Sequence, residues 1–140
     1  MPYVHSSHYF DKVEGFININ PLSCSIQMLN GFAKAAGCPD DLVDQVVNGA
    51  IVDYIMRIVS GADDTVTCTD MNGRTVPTTI YYPTQIELVE HLTALKFSDL
   101  SQERARKIVD FLLVKKALSE DSEGNLYCSM RLIPRQLVAL

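Results

Sequence analysis

Tryptophan is missing from this chain, aromatic residues of any kind make up only 8%, and the four cysteines stand far apart. Cys24, Cys38, Cys68 and Cys128 contain no Cys-x-x-Cys pair, which argues against a zinc ribbon and a dithiol redox motif; reduced, mostly buried thiols are expected. No apolar run approaches bilayer-spanning length, and Met1 to Phe10 lacks the basic start and apolar core of a secretory signal. A cytosolic chain without membrane contact is the expectation. Gly, Pro and Ser dominate no stretch and no internal repeat appears, so low complexity and long disorder are excluded. A Gly-x-Ser-x-Gly elbow, a Walker loop and a paired-carboxylate motif are all lacking. The chain is therefore read as no enzyme and as using no cofactor.

What remains is enough for one core. With 140 residues, 47% of them hydrophobic, the chain can bury roughly two-thirds of its unfolded surface as a single domain. Its formal charge of −5 is uneven: residues 1 to 82 hold four Lys/Arg against nine Asp/Glu, whereas residues 83 to 140 hold eight of each. An anion-binding surface belongs in the second half.

The first twenty residues suggest an arm or an edge strand, from the alternation of Ile17 and Ile19 with Asn18 and Asn20. Leu22, Ile26, Leu29, Ala33 and Ala36 then recur at helical spacing over Pro21 to Ala36, and Gly37 stands where a left-handed residue would end that helix. Pro39, Asp40 and Asp41 start a second helix, Leu42 to Val59, apolar around most of its circumference and so expected at the centre. Asp53 and Arg57 on its polar strip are spaced to pair. Gly49 in its middle costs roughly 1 kcal/mol relative to Ala unless a neighbour must approach closely there.

Between Asp64 and Tyr82 the residues become β-branched and aromatic, and Asn72-Gly73 predicts a type I′ hairpin turn, with Pro77 placing the return strand at an edge or bulge. After Pro83, Thr84 and Glu87 form a Thr-x-x-Glu capping box ahead of a helix lined by Leu88, Val89, Leu92 and Leu95. Phe97, Ser98 and Asp99 break it. A further helix runs from about Ser101 to Lys116 with Ala105, Ile108, Val109, Leu112 and Leu113 inward. Ala117 to Glu120 and Leu126 to Ile133 flank Asp121-Ser122-Glu123-Gly124-Asn125 as a second hairpin.

That order, over Pro83 to Ile133 with Leu42 to Gly61 as the preceding helix, resembles the winged helix-turn-helix superfamily of bacterial and phage regulators. The resemblance implies an α+β fold, mainly helical, with two hairpins: residues 1–38 an N-terminal arm and helix, 39–133 the winged-helix core, 134–140 a tail. It implies a DNA-binding transcriptional regulator, dimeric, whose helix 101–116 enters the major groove. Gln102, Arg104, Arg106 and Lys107 would meet base edges, while Lys115, Lys116, Arg131 and Arg135 would neutralise phosphates.

Winged helices also bind proteins, and here Glu103 and Asp110 sit among the base readers while Glu120, Asp121 and Glu123 occupy the wing tip. An acidic wing opposes the phosphate attraction on which DNA affinity rests. The alternative is a protein-binding adapter or inhibitor using the acidic residues Glu120, Asp121 and Glu123 together with Tyr9, Phe10 and Phe111. Homodimerisation through the N-terminal helix or the apolar tail Leu137 to Leu140 fits either reading. His5, His8 and Asp11 share one helical side, but without a strong helical pattern around them no metal site is assigned.

Overall fold

The computed structural model describes residues 6–20, 22–60, 67–129 and 135–140. Three helices come first: α1 (Ser6–Ile19), α2 (Ile26–Ala35) and, after a 3₁₀ turn at Asp40–Leu42, α3 (Val43–Ile58). Short strands β1 (Val59–Ser60), β2 (Thr67–Thr69), β3 (Thr75–Pro77) and β4 (Ile80–Tyr81) follow. Then come α4 (Gln85–Glu90), continued by a π-helical turn over His91–Lys96, α5 (Gln102–Val114), β5 (Leu118–Glu120) and β6 (Leu126–Cys128). The fold is α+β.

The expected N-terminal arm or edge strand is instead a helix. Tyr9, Phe10, Val13 and Ile17 form a stripe at helical spacing, all four buried, and this stripe outweighs the short alternation near Ile19. The second helix begins at Ile26 and not near Pro21, which lies outside the described residues. Ser25 caps it by accepting a hydrogen bond from the Gln27 amide at 3.1 Å, and Leu22, counted in the helical repeat, precedes the helix and is 75% exposed. Gly37 does take positive φ, 93°, just past that helix.

Central helix α3 is buried over most of its length and packs on α1, α2 and α5. Asp53 and Arg57 pair at 3.4 Å. Gly49 is the close-approach site that its position requires: a β-carbon there would overlap the Gln136 carbonyl oxygen and stand 2.7 Å from the Phe10 ring. The chain's last residues lie across this point. Val138 is buried, its amide donating to the Gln45 carbonyl at 3.1 Å and its carbonyl accepting from the Asn48 side chain at 3.0 Å.

β2 and β3 pair antiparallel, Cys68 opposite Val76, but the turn is not type I′. Among its residues only Gly73 has positive φ, 78°. Asp70 closes a longer loop by accepting the Asn72 and Arg74 amides on Oδ1 at 2.9 and 2.8 Å. The second hairpin repeats the device: Asp121 Oδ1 accepts the Glu123 and Asn125 amides, both at 2.9 Å, and Gly124 has φ 83°. Both loops are thus Asp-x-x-Gly turns. Thr65 and Val66, and Met130 to Ile133 of the final run, lie outside the described residues. β1 pairs in parallel with β4, and the Pro83 carbonyl accepts the Leu126 amide at 2.7 Å, tying the start of α4 to β6.

The capping box forms as expected: the Thr84 hydroxyl accepts the Glu87 amide at 3.2 Å and the Glu87 carboxylate accepts the Thr84 amide at 3.1 Å. Leu88, Val89 and Leu92 are buried, but Leu95 is 64% exposed. The π-helical turn inserts an extra residue per turn, rotates Leu95 outward and brings Lys96 into the core.

Candidate functional site

α4 with its π extension, the turn at Phe97 to Ser101, and α5 form a pair of helices whose mutual position is fixed by the first half of the chain. Lys96 is buried and donates to the Ile17 carbonyl at 3.0 Å and to the Asn20 carbonyl, so its cation caps the C-terminal end of α1. Its ammonium also lies 5.2 Å from the centre of the Tyr54 ring. Asp99 faces the opposite pole of α2: its carboxylate accepts the Ile26 amide, the Gln27 amide at 3.1 Å and the Ser25 hydroxyl at 3.0 Å. Burial works to raise the Asp99 pKa, but these hydrogen bonds prevail and hold it below the usual carboxylate range. Backbone bonds from Cys24 to the Lys96 carbonyl, 2.7 Å, and from Ser98 to the Cys24 carbonyl, 3.1 Å, complete the clamp.

Phe97 is fully buried edge-on to Tyr54, ring centres 5.6 Å apart. Tyr54 in turn hydrogen-bonds His91 Nε2 at 2.9 Å. Burial, with the nearby Lys96 charge, lowers the His91 pKa. None of Lys96, Asp99, Tyr54 and His91 was marked as a site by pattern, because each partner lies on another element.

α5 is capped by Ser101, whose hydroxyl accepts the Arg104 amide at 3.1 Å, and ends at Val114, two residues before the expected Lys116. Lys116 occupies the left-handed position past the helix, φ 60°, that glycine usually takes. Gln102, Glu103, Arg106, Lys107 and Asp110 are exposed. Arg106 reaches the Gln102 side chain at 3.3 Å, and Lys107 pairs with Glu103 at 3.4 Å.

Two of the proposed DNA contacts are placed elsewhere. Arg104 turns inward, its Nε donating to Asn48 at 2.8 Å and Nη2 to the Asp44 carbonyl at 3.4 Å. Burial pushes its pKa down while Asp44 pulls it back. Arg135 binds Asp11 and, at 2.8 Å, Glu14 on α1. Lys115 lies 5.7 Å from the Phe111 ring centre and Lys116 is exposed beside it; Arg131 is outside the described residues. At the hairpin tip Glu120, Asp121 and Glu123 are exposed, and the Asn125 and Glu123 amides lower the Asp121 pKa.

The protein anchors proposed from sequence are also corrected. Tyr9 and Phe10 belong to the core, and Phe111 is half-buried against it. Val138 of the apolar tail is buried on this chain's own α3, not free for a twin subunit. One exposed apolar feature on the helix pair is not flagged by periodicity. A groove of about 360 Å³ between α4 and α5 has Val89 and Val109 at its base, Ile86 on its wall at 72% exposure, and Glu90, Gln102 and Arg106 around it.

His8 is exposed, His5 falls outside the described residues, and no group of three His, Cys, Asp or Glu positioned for a metal occurs among the described residues. No helix among them is long and apolar enough to cross a membrane. Compared with known proteins, the chain matches no protein-family model, no curated protein and no solved structure.

Proposed function

We propose that this chain is a winged helix-turn-helix module that works by binding a protein and not duplex DNA. The winged-helix reading is supported by the order α3, β4, capped α4, short turn, α5 and hairpin, and by the bond that joins Pro83 at the head of α4 to Leu126 in the hairpin. The protein-binding reading is carried by one observation: the exposed first turns of α5 are charge-compensated. Of the four base readers expected there, Arg104 is turned into the body, Lys107 is paired with Glu103, and Gln102 and Arg106 are engaged with each other. With Asp110 on the same helix and an acidic hairpin tip, the face offers little net attraction to phosphates. The α4–α5 groove around Ile86 is the contact surface that this reading assigns.

Mobility shift on random duplex DNA at low salt tests this, since even non-specific electrostatic binding appears there. No shift is expected at micromolar protein. Capture from host lysate of one stoichiometric, nuclease-insensitive protein, lost on Ile86→Asp, is the positive counterpart. The exposed Gln102–Arg106 pair is the feature that favours DNA, because amide and guanidinium groups suit adenine and guanine edges. A shift weakened by Arg106→Ala and strengthened by Glu123→Lys would make DNA the ligand and overturn the protein reading.

A further inference from the structure

A five-charge cluster at the contact of α1, α3 and the chain's end has no part in the proposed docking face. Glu14 of α1 is 5% exposed. One of its oxygens accepts from Arg135 at 2.8 Å; the other, Oε1, is buried and has no donor. The charges acting on Glu14 are Asp53 and Arg57 from α3 and Arg135 from the tail, while Asp11, one turn earlier on α1, shares Arg135. Asp53 is already held by Arg57.

An orphaned buried carboxylate oxygen beside a second carboxylate is doubly unfavourable when both are ionised: one acceptor is dry and unpaired, and two like charges meet. One proton removes both penalties. Placed on Glu14, it lets the carboxyl donate to Asp53 while the other oxygen keeps Arg135, and it brings the five-group cluster from −1 to neutral. We propose that α1 docks on α3 through a proton held by Glu14 against the Asp53 carboxylate, so that α1 is held most firmly in acid and loosens as the pH rises to and through neutrality.

The sign follows from linkage. Docked, Glu14 is raised from 4.5 to about 7, first by burial and then by Asp53, with Arg135 opposing; undocked, it returns to water and its ordinary value. The docked state therefore binds the proton more tightly, and raising the pH favours release of α1 and of its apolar stripe Phe10, Val13 and Ile17.

Hydrogen exchange on the full chain reads this directly, as protection factors of the Val13 and Ile17 amides corrected for intrinsic exchange. Between pH 6 and pH 8 protection should fall about tenfold relative to α5 amides. Glu14→Gln keeps a donor for Asp53 and an oxygen for Arg135, and should make α1 protection independent of pH. Asp53→Asn removes the facing charge and should shift the fall to lower pH, which supplies a second reading should Glu14→Gln fold poorly. Unchanged α1 protection in the parent chain, or the same pH dependence in Glu14→Gln, would overturn the proposal.

Discussion

Alanine at position 49 sets two well-known effects against each other. In a helix interior the exchange of Gly for Ala is worth about 1 kcal/mol in favour of folding. Here the new β-carbon would overlap the Gln136 carbonyl oxygen and stand 2.7 Å from the Phe10 ring. Carbon atoms in contact rest roughly 3.5–4 Å apart, so α1 must withdraw by nearly 1 Å and the tail must move too. Overpacking of this kind costs about 1–3 kcal/mol. Lifting the tail also strains the Val138 hydrogen bonds to Gln45 and Asn48, each worth about 1 kcal/mol. After the propensity gain is subtracted, a net loss of about 2 kcal/mol remains, a fall in Tm of roughly 7 °C for a chain this long. Urea and thermal unfolding followed by circular dichroism measure it. A Gly49→Ala protein that melts at or above the parent would refute the reasoning, because propensity would then outweigh the clash.

Asp99→Ala removes the acceptor for two α2 amides and should destabilise by about 1–2 kcal/mol in urea unfolding, more than Ser25→Ala, which leaves the carboxylate in place. Glu14 and His91 give stability opposite pH dependences. The raised Glu14 value contributes stability present below about 4.5 and lost as pH rises through about 7, at most about 3 kcal/mol. The lowered His91 value contributes stability present above its ordinary 6.5 and lost as pH falls through its folded value, so below the alkaline range in which the buried thiols ionise, Glu14→Gln should leave a profile that declines toward acid alone. A chain beginning at residue 39 lacks the carbonyls that Lys96 caps and the amides that Asp99 caps, and should show no cooperative unfolding; a sharp transition at parental Tm would contradict that.

Much of the architecture was legible because it is local. The box at Thr84 and Glu87 is three residues long, the Gly37 stop is one residue, and the apolar circumference of α3 is visible at any period. The failures share a cause. At Phe16 to Asn20 two periodicities compete over five residues, and only the longer stripe from Tyr9 decides for helix. Leu95 was placed inward by a regular 3.6 period, which the π-helical turn breaks. The Asn72-Gly73 pair carries a turn preference that Asp70 overrides by binding two amides of the same loop. In the candidate site the exposed residues Gln102, Arg106 and Lys107 could be found from charge and helical face. The inward turn of Arg104 could not, because its partners Asn48 and Asp44 lie more than fifty residues away.

Those distant pairings also explain why an acidic first half belongs with a balanced second half. Lys96 and Asp99 are three residues apart, carry opposite charge, and address opposite poles: the cation meets the carbonyl end of α1 and the carboxylate meets the amide end of α2. Each helix pole is thereby neutralised by a charge of the correct sign, and interchanging the two would place like against like at both. Arg104 is likewise engaged by Asn48 on α3, and Arg135 is paired with Asp11 and Glu14 on α1. Cations that a sequence reading assigns to phosphate are in this way consumed within the fold. The second half therefore reaches solvent with less positive charge than its composition suggests, and that deficit is a consequence of how the two halves are joined.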